Sequence, residues 1–162
     1  MPNDFYGLPL HPLIVHATVV MIPLAALMVL IAAVWPRFRA WAGPLPLGVS
    51  AIGLVLVPLS TSTGETLERH AARSAALERH TQLADGLLPW MIALLVVAIA
   101  AYAMHWRTTH GHSLTKAVTV GVAVVALVAA VGTSVQVARV GHAGAQAAWA
   151  DTNMSSTSPP SK

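Results

Sequence analysis

The sequence predicts an all-α integral membrane protein: a four-helix up-and-down bundle with a helical extracytoplasmic loop between its second and third helices. Two observations carry this expectation. Of the 162 residues, 56% are hydrophobic and only 9% charged, outside the range of soluble globular chains. Asp, Glu, Lys and Arg are also absent between Asp4 and Arg37, Arg39 and Glu65, Asp85 and Arg107, and Lys116 and Arg139. Each gap can hold a bilayer-spanning helix of about 20 residues. Lipid offers the backbone no hydrogen-bond partners, and unbroken apolar runs satisfy it as helices, whereas barrel strands would alternate.

Residues 1–150 are expected to form the transmembrane domain, with helices at about 12–35, 44–61, 84–106 and 114–139. In the first, Pro12 suits the opening turn and Pro23 should kink the interior. The apolar run from Leu13 to Trp35 is longer than a signal-peptide core, and no Lys or Arg precedes it, so it reads as a retained helix. The second helix is expected to be the shortest and to end irregularly at Pro58 and the polar run Ser60 to Thr63. Ser62-Thr63-Gly64-Glu65 has the form of a capping box, and Glu65 and Arg69 form a favourable pair four residues apart. A surface helix is therefore expected in the loop. Asp85, just before Gly86, would cap the third helix. If the fourth continues outward, Arg139, His142, Gln146 and Trp149 share one face. Residues 151–162 read as a disordered Ser/Pro-rich tail. The chain has no evident internal repeat.

The short connections around Arg37 and Arg39 and around Arg107 and Lys116 are basic and carry no acid; all six acidic residues belong to the other side. The positive-inside rule then places both termini outside the cytoplasm, in a multi-pass protein of the plasma membrane. The basic residues are scattered at helix ends, which argues against nucleic acid as a partner. The absence of cysteine excludes disulfides, thiolate metal sites, iron–sulfur clusters and covalently attached haem. No phosphate loop, nucleophile elbow or zincin pattern is present, which leans away from an enzyme without deciding the question.

What remains for chemistry is eight histidines. In an up-and-down bundle, one membrane face collects His11, His16, Glu65, His80, Asp85 and His142. Imidazole ligates transition metals and haem b, and bundles build such sites from facing helices. His16, about one turn inside the first span, should face the interior. His80 and His142 are its expected partners, with His11 as an alternative ligand and Glu65 as a carboxylate one. For any one interfacial histidine, hydrogen bonding to water, headgroups or backbone is the blander explanation. His70 reads as a solvated loop residue. His105, His110 and His112 read as part of a basic aromatic anchor. Met21 and Met91 are expected to pack, and Gly48, Gly53, Gly121 and Gly132 to permit close helix approach.

Leu8-Pro9-Leu10-His11-Pro12-Leu13-Ile14-Val15-His16, Thr63-Gly64-Glu65, His80-Thr81-Gln82-Leu83-Ala84-Asp85 and Gly141-His142-Ala143-Gly144-Ala145 resemble the small bacterial membrane proteins catalogued as domain of unknown function 2231. The resemblance covers about residues 8–149, and its most specific element is the Leu-His-Pro-Leu opening with its second histidine. It implies a four-helix membrane protein with histidines at these positions. Some relatives are joined to cytochrome-like modules, which leans toward haem or electron transfer. Ala17-Thr18 departs from the aromatic and Pro that many relatives have there.

Three functions are expected in descending order. The first is a redox or electron-transfer protein, holding haem b or a transition metal on His16, His80 and His142 or His11, with a redox partner in the membrane. The second is a non-catalytic accessory protein that docks a membrane-protein partner. The third is a subunit of a proton- or metal-linked transporter that uses His16 and Asp85 as relay groups.

Overall fold

The computed structural model describes residues 4–5, 8–68 and 74–149. Six helices carry the described fold: α1 (Leu10–Val34), α2 (Pro36–Ala42), α3 (Leu45–Glu68), α4 (Ala75–Asp85), α5 (Leu87–Thr109) and α6 (Lys116–Ala148). A two-residue antiparallel pairing, β1 (Asp4–Phe5) with β2 (Leu8–Pro9), precedes α1. Four segments are long and apolar enough to cross a membrane: His11–Val34, Leu45–Thr66, Ala75–Thr109 and Lys116–Ala148. Arg69, His70 and the 151–162 tail lie outside the described residues.

The helices close a ring of contacts, α1 against α3 and α6, and α5 against the same two. Lipid tails are as apolar as leucine, so what holds such helices together is close van der Waals packing of small residues. The core follows that rule. Ala25, Ala26, Ala33, Ala98, Ala126, Ala129 and Ala130 are buried around Ile22, Val29, Met91 and Leu94, while Val20, Leu27, Val55, Val96, Val124 and Val128 point outward. The polar groups inside are satisfied locally: Ser50 donates to the Pro46 carbonyl and Thr18 to that of Ile14. Among the described residues no buried side-chain donor or acceptor lacks a partner.

Several boundaries differ from those the sequence suggests, each for a local reason. The second span does not stop at residue 61. Pro58 sits inside α3, and the hydroxyls of Ser62 and Thr63 bond back to carbonyls of the preceding turn, Ser62 to Leu59 and Thr63 to Leu59 and Ser60. Ser62 to Glu65 is therefore mid-helix and not a capping box; the cap in this region is Ser74, whose hydroxyl accepts from the Leu77 amide at the start of α4.

The third span is broken at Gly86 into α4 and α5. Pro89 explains the place, since its ring excludes the carbonyl four residues back, that of Asp85, and it has no N–H to offer. Asp85 ends α4 and caps nothing; Gly86 occupies the N-cap of α5 without a side-chain bond.

The connection around Arg37 holds a helix the sequence reading left out. Pro36 opens α2 and denies the Ala32 carbonyl its helical amide. Arg39, only 5% exposed, fills that place, its Nη1 donating to Ala32 at 2.9 Å and to Ala33 at 3.4 Å. Burial lowers the Arg39 pKa from its ordinary value, and a guanidinium starts so high that it remains charged. Gly43 then takes the left-handed φ of +53° that turns the chain into α3.

Candidate functional site: a histidine pair seated on glycines

At one end of the bundle the start of α1 meets the end of α3, and α4 meets the last third of α6. His11 comes from the first junction and His80 from the second. The His11 ring lies against Gly64, where a Cβ would stand 3.0 Å from His11 Cε1. His80 lies against Gly144 in the same way, with a Cβ again 3.0 Å from Cε1. Even an alanine at either position would require the imidazole to give by a few tenths of an ångström. α3 and α4 touch at this end, which makes the two junctions neighbours.

Both rings are also anchored through Nδ1. His80 Nδ1 is 3.1 Å from the Val140 carbonyl, which can only accept, so Nδ1 carries a proton. His11 Nδ1 is 3.2 Å from Thr63 Oγ1. The Thr63 hydroxyl already donates within α3, to Leu59 at 2.9 Å and Ser60 at 3.1 Å. With its one proton given to either carbonyl, it accepts from His11 Nδ1–H.

A third polar contact braces the pair. Gln136, 8% exposed on α6, donates its amide to the Leu83 carbonyl at 2.7 Å. Leu83 is in the last turn of α4, where carbonyls lack helical partners because the helix ends. Gly86 leaves room for that amide, since a Cβ there would stand 2.8 Å from Gln136 Nε2. One turn on, Thr133 donates to the Trp90 carbonyl at 3.4 Å, and the Trp90 ring rests on Gly132. Gly132, Gln136, Val140 and Gly144 recur every four residues. They form one row along α6 on which α4 and α5 lie, consistent with packing of ridges spaced four residues apart.

The other sequence-derived candidates do not join the pair. His16 is exposed, and its Nδ1 bonds its own helix at the Pro12 carbonyl, 2.6 Å away. It does not face the interior as expected. It follows His11 by five residues, roughly 140° around a helix, so only one of the two can point inward. His142 is exposed on α6, with Arg139 and Gln146, on the side away from Gly144. Glu65 and Asp85 are exposed as well. Among the described residues no group of three or more His, Cys, Asp or Glu could hold a metal ion. Met91 packs in the core with its Cε near Gly53.

Sequence reasoning passed over Gln136 and the two glycine seats. An amide inside a charge-free span was the available signal for Gln136, and its spacing from Gly132 and Gly144 the signal for the row. The four stretches that carry the family resemblance supply most of this end: His11 from the first, Thr63 and Gly64 from the second, His80 and Leu83 from the third, Gly144 from the fourth.

Comparison with known proteins gives a single kind of match. A family model described as "Predicted membrane protein (DUF2231)" matches residues 7–156. No curated protein and no solved structure matches the chain.

Proposed function

The chain belongs to the DUF2231 family of predicted membrane proteins, and on that premise we propose that His11 and His80 form a two-imidazole ligand site in a multi-pass protein of the plasma membrane. In this reading the bundle runs up and down with both termini outside the cytoplasm, and the pair lies near the extracytoplasmic face. The supporting observation is the paired anchoring: two rings from different helices, each hydrogen-bonded at Nδ1, which makes Nε2 the ligating nitrogen of the proposed site. Metal-bound histidines are characteristically held this way, by a second bond at the other ring nitrogen.

The donor set narrows what the site fits. A closed tetrahedral metal centre requires three or four protein ligands, and the described residues do not supply them. A two-histidine donor set would serve a centre that takes two imidazoles, either haem b with axial histidines or a two-coordinate transition metal. Such a group, when bound, supplies one-electron chemistry. The chain's part would be to orient both imidazoles, Thr63 and Val140 holding Nδ1 and Gly64 and Gly144 seating the rings. His16, His142 and Glu65 are then outside the ligand set.

The test is an absorption spectrum of detergent-purified protein from haem-sufficient cells, oxidised and then dithionite-reduced, with metal analysis of the same sample. A b-type band or stoichiometric metal is expected, lost in both H11A and H80A and kept in H16A. A blank spectrum without metal would overturn the reading. The exposed row Arg139, His142 and Gln146 on the α6 extension supports the accessory-protein alternative, which that blank would favour.

A further inference from the structure

The opposite end of the bundle has a different chemistry. Here α2 lies between the first two spans and packs on α1 and α5. Arg39 is turned inward onto the α1 carbonyls. Trp35 and Trp41 are turned outward and form a row with the half-buried Phe38 between them, ring centroids 6.4 and 5.8 Å apart, and Trp41 is 74% exposed. Trp106, exposed near the end of α5, lies against His110 with centroids 4.3 Å apart.

Arg37, Arg107 and Lys116 are exposed at this same end. Every described carboxylate side chain, Glu65, Glu68, Glu78 and Asp85, is on the end of α3 or on α4, at the histidine end. Among the described residues these three cations have no carboxylate partner. Their depth is set by the apolar segments they flank. Arg37 follows the first span by three residues, Arg107 is in the last turn of the third, and Lys116 begins the fourth. Cations and tryptophans at the ends of bilayer-length helices stand at the level of the lipid headgroups. A soluble acidic partner would have to reach them through that layer.

We propose that this end of the molecule binds anionic phospholipid headgroups, with lipid phosphates against Arg37, Arg107 and Lys116 and the rings of Trp35, Trp41 and Trp106 at the boundary with the acyl chains. A short helix with an outward aromatic row is the form an interfacial anchor takes. The proposal does not depend on the histidine pair binding anything.

The experiment compares thermal unfolding of the full chain in nanodiscs of phosphatidylcholine alone and of phosphatidylcholine mixed with phosphatidylglycerol. Phosphatidylglycerol is expected to raise the midpoint by roughly 5 °C, less at high salt. The rise should vanish in R37Q/R107Q/K116Q and persist in R79Q/R139Q, which removes exposed cations at the histidine end. Equal midpoints in the two lipids would overturn the proposal, as would loss of the rise in R79Q/R139Q alone. A rise reproduced by inorganic phosphate in pure phosphatidylcholine would also overturn it, pointing to a free-anion site. Should the triple variant fail to fold, tryptophan quenching of the wild type decides: brominated phosphatidylglycerol must quench more than brominated phosphatidylcholine.

Discussion

The two helix pairs of the bundle, α1 with α3 and α4–α5 with α6, solve the same problem by different means. Each sets a histidine from the start of its first member against a glycine near the end of its second. In the first pair the helix is unbroken and the ring nitrogen is held by a side-chain hydroxyl, Thr63. In the second the helix is broken at Gly86, the ring is held by a backbone carbonyl, and Gln136 repairs the break. A carbonyl at Val140 survives any substitution there, whereas the Thr63 hydroxyl does not. The placement of His11 is thus a property of one side chain, and that of His80 a property of the α6 backbone.

The largest effect should come from the row that only the second pair possesses. A Cβ at Gly132 would fall inside the Trp90 ring, and Gly132→Val should destabilise by roughly 3 kcal/mol. At the matching contact of the first pair, a Cβ at Gly53 would stand 3.7 Å from Ile22 Cγ1 of α1, its closest neighbour being the flexible Met91 Cε of α5 at 2.9 Å. Gly53→Ala should therefore cost about 1 kcal/mol or less. Unfolding in mixed micelles measures both, and equal losses would remove the asymmetry. Gln136→Leu strips the Leu83 carbonyl of its donor in a buried place and should cost about 1–3 kcal/mol. Amide exchange should rise in α4 before it rises in α3, and uniform exchange would show that the break needs no repair.

Thr63→Val probes the weaker anchor. It should cost about 1 kcal/mol and alter the nitrogen chemical shifts of His11 while leaving those of His80 in place. A shift at both rings would mean that the pair responds as one unit. The smallest effect is expected at Gly48, where a Cβ meets nothing within 4 Å. Gly48→Ala should stabilise by at most about 1 kcal/mol, through helix propensity alone.

The four spans are legible in the sequence because charge is so costly in lipid that its absence marks them. The helix faces are not, because spans with apolar residues all round give no sign of which side turns inward. His16 illustrates this: its depth was readable and its direction was not. The same symmetry hid Gly64 and Gly144, whose importance depends on which helix lies opposite. Pro58 and Pro89 show the limit of breaker residues. The first is accommodated inside α3 and the second divides a span, and only the neighbouring contacts distinguish them. Arg39 reads as a topology marker, yet its Nη1 is committed to α1.

During synthesis the α4–α5 segment emerges from the ribosome before α6 exists. Until then the Leu83 carbonyl has no glutamine to accept from, and the His80 ring has neither its carbonyl nor its glycine. The order of translation thus leaves the third span incomplete until the last arrives, and a chain truncated before Gln136 would present the quality-control machinery with an unfinished helix at the membrane boundary.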